Sequence, residues 1–205
     1  MALVKHTNNS LSNITALPSA VPTGKMTLLS TATASSSASL SFDSTYINSD
    51  YLVYKFEFIN MHPATDVVDF QFNLSTDNGS NYNVTKTTTF FRPYQLEGAE
   101  QTGALEYQTG EDLAQSTAYQ SIADRQDNDN DSALSGTFTL FNPSSTVFVK
   151  HFMSVIDRVF GSSAIQANDF MAGYGNTTSA VNAINFKFSS GNIDAGQIKL
   201  YGLGS

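Results

Sequence analysis

Apolar and polar residues alternate with a period of two in several short runs of this chain. In one of them, Tyr54, Phe56 and Phe58 alternate with Lys55 and Glu57. Successive side chains of a β-strand point to opposite faces, so such a run predicts a strand with one buried and one exposed face. The runs predict strands at residues 26–33, 37–42, 51–59, 68–74, 83–91, 136–141, 147–155, 164–174, 181–188 and 197–203.

About ten short strands separated by turn residues are typical of an antiparallel β-sandwich, and we predict this all-β class. Asp77-Asn-Gly-Ser80 is one such turn. The sequence shows no convincing amphipathic helix, and residues 113–122 are the only candidate for one. The chain has 205 residues, no long Pro- or Gly-rich linker and no internal repeat, so we predict one domain over residues 25–205.

Residues 1–24 differ from the rest of the chain. Their apolar residues follow neither helical nor strand spacing, and Pro18 and Pro22 favour an extended arm. Two interpretations fit this composition: a flexible terminus, or an assembly arm that orders by packing on a neighbouring subunit. The apolar residues of the arm include Leu3, Val4, Leu11, Ile14 and Leu17.

Charge and composition exclude several classes of function. The formal net charge is −8, and the ten Lys and Arg residues are dispersed, so we expect no nucleic-acid partner. No run approaches 18 apolar residues, and we expect no membrane insertion. Cysteine is absent, which leaves neither disulfides nor a thiolate metal site. The first ten residues lack an apolar leader core, so we expect synthesis and folding in a cytoplasm.

One acidic cluster, Asp127-Asn-Asp-Asn-Asp131, suggests a metal. Carboxylates at Asp127, Asp129 and Asp131 can converge on Ca²⁺ if the backbone curls. The glycine of an EF-hand loop is missing. The twelfth position, where an EF-hand has a bidentate glutamate, is Phe138. Two hypotheses stand, a looser calcium site and a solvated loop, and no other cofactor is predicted.

The sequence offers no catalytic constellation. The clearest strand-borne glutamate, Glu57, has Lys55 as its neighbour on the same face, whereas a glycosidase needs two opposed carboxylates. A Gly-x-Ser-x-Gly elbow and a phosphate-binding glycine loop are both missing from the sequence. We therefore expect a protein that is not an enzyme.

The long segment 93–131 is the best candidate for recognition. It carries Tyr94, Tyr107 and Tyr119 among polar residues, and exposed tyrosines suit protein interfaces and stacking on sugar rings. The other interpretation is an ordinary surface loop whose tyrosines pack onto the sandwich.

The end of the chain combines a Ser190-Gly-Asn-Ile193 loop with the strand Gly196-Gln-Ile-Lys-Leu-Tyr-Gly-Leu203, and in this it resembles a family of marine tailed-bacteriophage virion proteins. Similar pieces are spread along nearly the whole chain. They are Met1-Ala-Leu-Val-Lys5, Asn8-Asn-Ser10, Phe58-Ile-Asn-Met-His-Pro63, Val84-Thr-Lys-Thr-Thr-Thr-Phe-Phe91, Asp112-Leu-Ala-Gln-Ser116, Leu140-Phe-Asn-Pro-Ser-Ser145, Val149-Lys-His-Phe152 and Ala172-Gly-Tyr-Gly-Asn-Thr-Thr178.

The resemblance implies a non-enzymatic structural component of a virion, made in the host cytoplasm and displayed as a capsid decoration or as a head or tail fibre subunit. It favours a jelly roll among the possible sandwiches, since virus particles use that topology widely. The expected partners are copies of the chain itself, arranged as a trimer, and other virion proteins such as capsid or tail components. The alternative is a carbohydrate-binding adhesion module that recognises a host-surface glycan.

Overall fold

The structure is a computed structural model that describes residues 26–98, 102–160 and 165–204. Within these ranges the chain forms β-strands and no helix. The proposed arm residues Leu3, Val4, Leu11, Ile14 and Leu17 lie outside the described residues. The strands are β1 (Thr27–Thr33), β2 (Leu40–Phe42), β3 (Val53–Pro63), β4 (Val68–Ser75), β5 (Lys86–Leu96), β6 (Gly103–Tyr107), β7 (Gln120–Gln126), β8 (Leu134–Phe141), β9 (Lys150–Phe160), β10 (Ile165–Gly175), β11 (Ala183–Phe188) and β12 (Ile193–Leu203).

The strands form two sheets that pack face to face as a sandwich, which confirms the predicted all-β class. The larger sheet has eight strands in the order β1-β12-β3-β8-β9-β10-β5-β6. The smaller sheet has four in the order β2-β11-β4-β7. All neighbouring strands in both sheets are antiparallel.

Four of the strand pairings are nested one inside another along the chain. The pair β4–β7 lies inside β3–β8, which lies inside β2–β11, which lies inside β1–β12. This is the pattern of one long hairpin that has been rolled up, with its successive strand pairs placed alternately in the two sheets. Strands β9, β10, β5 and β6 extend the larger sheet beyond β8.

The core between the sheets is built mainly from phenylalanine. The ring of Phe186 on β11 lies 5.2 Å from Phe56, 5.1 Å from Phe58, 5.9 Å from Phe138 and 6.5 Å from Phe42, each in an edge-to-face arrangement. Such arrangements place the positive ring edge against a negative ring face. Because these rings come from both sheets, Phe186 joins one sheet to the other.

The alternation seen in the sequence matches the two faces of strand β3. Tyr54, Phe56 and Phe58 are buried, while Lys55 donates a hydrogen bond of 3.1 Å to Glu57 on the opposite face. The predicted turn at Asp77-Asn-Gly-Ser80 is also confirmed, with φ of +59° at Asn78 and +85° at Gly79.

Residues 113–122, the only candidate for a helix, form none, and their last part belongs to strand β7. The interpretation of residues 93–131 as one surface loop is wrong, since this segment contains the end of β5 and all of β6 and β7.

We expect Phe186→Ala to lower the free energy of unfolding by about 3–5 kcal/mol, because the smaller side chain leaves a cavity among the surrounding rings. The measurement is urea denaturation followed by fluorescence or circular dichroism. The matched control is Phe148→Ala, which removes a ring that is 66% exposed and should change stability by no more than about 0.5 kcal/mol. Equal losses in the two variants would contradict the central role of Phe186.

Candidate functional site

Three neighbouring strands of the larger sheet carry a charged residue at an inward position. These residues are Arg158 on β9, Asp169 on β10 and Arg92 on β5. Their inward neighbours in sequence are mostly apolar, as with Ile156 before Arg158 and Met171 after Asp169. The alternation that buries apolar side chains therefore buries these charges as well.

The charged residues form a buried ion network with Asp124 from β7 of the smaller sheet. Arg158 Nε lies 2.6 Å from Asp169 Oδ2, and Arg92 Nη1 lies 2.6 Å from Asp124 Oδ2. Arg158 also donates from Nη2 to Asp124 Oδ1, so Asp124 is held by both arginines. Because buried charges are tolerated when each is paired and hydrogen-bonded, this network allows the two sheets to meet through polar groups.

One member of the network, Asp169, has a raised pKa. Burial raises the pKa of Asp169 to about 6, and the negative charge of Asp124 adds to this effect, while Arg158 opposes it. Asp169 Oδ1 is buried and has no hydrogen-bond partner among the described residues. Burial also raises the pKa of Asp69 and of Glu111, and the charge of Asp124 contributes to both shifts.

A cavity of about 190 Å³ opens beside the ion network, and we call it the arginine cavity. The chain has three arginines, and all three line this cavity. Arg125 lies on β7, and its guanidinium stands 4.9 Å from the ring centre of Phe160. The lining residues are Arg92, Tyr94, Leu96, Glu106, Arg125, Arg158, Phe160 and Ile165.

A bulge in β7 explains how consecutive residues serve the same site. The pairing of β7 with β4 shifts register between Val68 and Phe70, opposite Asp124 and Arg125. Arg125 has a φ of +50°, and its backbone N–H donates to Asp69 Oδ1 at 3.0 Å. A bulge redirects a side chain that would otherwise point to the opposite face. Asp124 can therefore join the ion network while Arg125 reaches the cavity.

The opposite face of the same strands carries exposed apolar side chains. One row runs across four strands, because Phe91 on β5 pairs with Tyr107 on β6 and with Phe170 on β10, and Phe170 pairs with Val155 on β9. The rings of Phe91 and Phe170 are stacked with their centres 5.0 Å apart. With the exposed Met153 and Leu105, these residues form a surface that we call the outer-face patch.

The outer-face patch ends where the extension of the sheet ends. The same row continues from Val155 to Thr137 on β8, Glu57 on β3 and Lys199 on β12. These are the polar residues expected on a sheet face that meets water. The apolar part of the row thus belongs to the extension of the sheet, from β9 to β6.

The structure does not bring the three predicted recognition tyrosines together. Tyr94 lines the arginine cavity, whereas Tyr107 lies in the outer-face patch and donates a 2.6 Å hydrogen bond to Asp112. Tyr119 donates to Asn185 Oδ1 at 3.0 Å in the smaller sheet. A single sugar platform made of all three rings therefore has no geometric support.

The aspartates predicted as a calcium site do not converge either. Asp127 is fully buried, while Asp129 and Asp131 are exposed. The backbone carbonyl of Asp129 lies 3.1 Å from His62 Nε2. Across residues 26–98, 102–160 and 165–204, no group of three or more acidic or histidine side chains is placed to hold a metal ion.

Sequence reasoning missed the ion network and the cavity. The arginines are far apart along the chain, and the strand predicted at 147–155 ended before Arg158. One signal was present, because Arg158 lies two residues after Ile156 and so has the parity of a buried position. A charged residue at a buried position predicts a partner of opposite charge.

Comparison of the chain with protein-family models, with curated proteins and with solved structures found no match. Among the residues that the structure describes, no helix is long and apolar enough to cross a membrane. Functional inference therefore rests on the ion network, the arginine cavity and the outer-face patch.

We expect Arg158→Met to lower the free energy of unfolding at pH 7 by about 3–5 kcal/mol, because it leaves Asp169 buried without its cation. The loss should be smaller at pH 5. Asp169 then takes up a proton in the folded state, where its pKa is raised above that of the unfolded chain, so folding is favoured as the pH falls.

The matched control for this experiment is Lys55→Met, which removes a cation from the solvent face of the same sheet. Lys55 pairs with Glu57 at 3.1 Å, and both side chains are about one-third exposed. Removal of such a pair should cost less than about 1 kcal/mol. Urea denaturation at both pH values gives the comparison, and equal losses would show that the buried network has no special role in stability.

Proposed function

We propose that this chain is a non-enzymatic structural component of a tailed-phage virion, displayed on the particle as a capsid decoration or as a head or tail fibre subunit. The observation that carries the proposal is the outer-face patch, an exposed apolar surface on strands that extend the sandwich. Apolar patches on soluble proteins mark interaction surfaces. Assembly through such a surface is what a repeated particle component requires.

The nested pairing supports a jelly-roll topology for the sandwich. In a jelly roll the first strand pairs with the last, the second with the seventh, the third with the sixth and the fourth with the fifth. When β5, β6, β9 and β10 are set aside, the remaining strands follow this scheme in chain order. Viral capsid and lectin domains use this topology, so it agrees with both the structural role and the glycan-binding alternative.

We propose that the occupant of the outer-face patch is a second copy of the same chain, in a homotrimer. The chain carries a net charge of −8, so copies repel one another over most of their surface. The residues of the outer-face patch carry no charge, and Phe91 and Phe170 present a flat stacked surface. Contact at this patch therefore buries apolar area, and the carboxylates of Asp112 and Asp157 lie at its edge.

The oligomeric state tests this contact. We expect the full-length chain to sediment as a trimer and Val155→Glu to sediment as a monomer, because the new carboxylate would be buried at the interface. The matched control is Val147→Glu, which changes an exposed valine outside the outer-face patch and should leave the trimer intact. A wild-type monomer, or equal behaviour of the two variants, would contradict the proposed contact.

Incorporation into the particle is a separate test of the structural role. Peptides of this chain should be found by mass spectrometry in virions purified by density-gradient banding, at a stoichiometry expected for a repeated component. Their absence from the particles would refute the virion assignment whatever the oligomeric state.

The alternative function, a carbohydrate-binding adhesion module, is favoured by one observation. Tyr94 lines the arginine cavity, together with Phe160 and the three arginines. Aromatic rings together with a few convergent polar groups are the usual lining of a small-ligand site. Display on a particle and adhesion to a glycan are compatible, since a fibre tip combines both.

A further inference from the structure

The arginine cavity concentrates a type of charge that is scarce in this chain. Acidic residues outnumber basic ones by eighteen to ten, yet all three arginines line one cavity. Arg158 and Arg92 are engaged by Asp124 and Asp169 in the ion network. Ion pairing with these buried aspartates explains two of the three arginines but leaves Arg125 to be explained.

Two donors beside the cavity have no acceptor among the described residues. Arg125 makes no ion pair there, and its guanidinium is positioned by the ring of Phe160. Arg92 Nε is buried and has no hydrogen-bond partner. Arg92 Nε is sealed from solvent and so faces away from the open space of the cavity, whereas Arg125 is exposed and can donate to a ligand that supplies acceptor atoms.

Arg125 lines the cavity and makes no ion pair with a described residue, so it is a cation that can bind an anionic ligand. A guanidinium group matches a carboxylate in its planar, two-pronged geometry. Glu106 lines the same cavity and lies 3.6 Å from Arg92, and Asp124 lies 2.6 Å from the same arginine. These carboxylates would repel a doubly charged phosphate or sulfate more strongly than a carboxylate.

The aromatic and apolar residues that line the rest of the arginine cavity suit a small ring-shaped ligand. Tyr94 and Phe160 contribute aromatic rings, and Leu96 and Ile165 contribute apolar side chains. The C–H face of a sugar packs on such surfaces, and Glu106 can accept hydrogen bonds from sugar hydroxyls. The volume of about 190 Å³ suits one sugar ring better than an extended chain.

We propose that the arginine cavity binds the carboxylate of an acidic sugar of the hexuronic acid class. Arg125 binds the carboxylate, while Tyr94 and Phe160 hold the ring. This inference deepens the glycan-binding alternative and rests on it, and it is independent of the assembly role of the outer-face patch.

The test is titration of the full-length protein at pH 7 with D-glucuronate, D-glucose and acetate, observed by calorimetry and by NMR chemical shifts. We expect glucuronate to bind with shifts at the cavity residues. Glucose lacks the carboxylate and acetate lacks the ring, so both should bind at least about tenfold more weakly.

Arg125→Gln should weaken glucuronate binding about tenfold through loss of one charged contact. Arg125 is exposed and lies outside the ion network, so the fold should persist in this variant, as circular dichroism can verify. The matched control is Lys187→Gln, which removes a cation that stands 4.3 Å from the ring of Tyr119 in the smaller sheet. It should leave binding unchanged.

Three outcomes would overturn the proposal: no binding of glucuronate, equal binding of glucose or acetate, or equal loss of affinity in Arg125→Gln and Lys187→Gln. None of them bears on the trimer or on incorporation into virions. Conversely, a monomeric protein that is absent from virions could still bind glucuronate, so the two proposals fail separately.

Discussion

One sheet of this sandwich is much wider than the sheet that covers it. Eight antiparallel strands spaced by about 4.8 Å present an inner face that four strands cannot cover. Where the smaller sheet lies, the inner face is aromatic and the rings around Phe186 join the sheets. Past its last strand, β7, a continuous apolar face would be left open to water. The ion network lies at the edge of the covered part, beneath β7, and the arginine cavity opens beside it, while the outer-face patch lies on the other face of the same strands.

The ion network lies at the border of the aromatic core and replaces apolar packing with ion pairs there. Asp124 on β7 faces Arg92 and Arg158 on the larger sheet, so the network joins the sheets where aromatic packing stops. Well-packed apolar residues often stabilise a fold as much as a buried ion pair does. An apolar border would, however, leave no polar cavity beside it. The charges therefore keep this border polar, which the proposed binding of an acidic sugar in the cavity requires.

The sequence predicted the strands wherever one face of a strand is buried and the other is wet. The pattern did not predict two strands. Strand β6 is almost wholly exposed, and β7 is polar and still almost wholly buried, from Gln120 to Gln126. Gln120 donates to the backbone carbonyl of Glu111 at 2.7 Å, and Thr88 donates to Gln120 in turn. Hydrogen bonds to neighbouring segments thus replace apolar contacts, and the alternation disappears.

The candidate site escaped sequence analysis for a related reason. It is formed from β5, β7, β9 and β10, which come together only through long-range pairing. Alternation reports which face a side chain occupies, but it does not report which strands are neighbours. In the sequence Arg92, Arg125 and Arg158 are dispersed charges, and Tyr94 shares one segment with Tyr107 and Tyr119, from which the fold separates it.

The nested order of the strands has a consequence for how the protein is made. Thr27 of β1 pairs with Gly202 of β12, so β1 waits for its partner until 175 further residues have been synthesised. The innermost pair, β4 with β7, can form much earlier. Chains dominated by distant contacts fold slowly, because loop closure comes before the contacts that reward it. Until β11 and β12 have emerged from the ribosome, the aromatic strands β4 and β3 each lack one of their neighbouring strands. The nascent chain is then most exposed to aggregation.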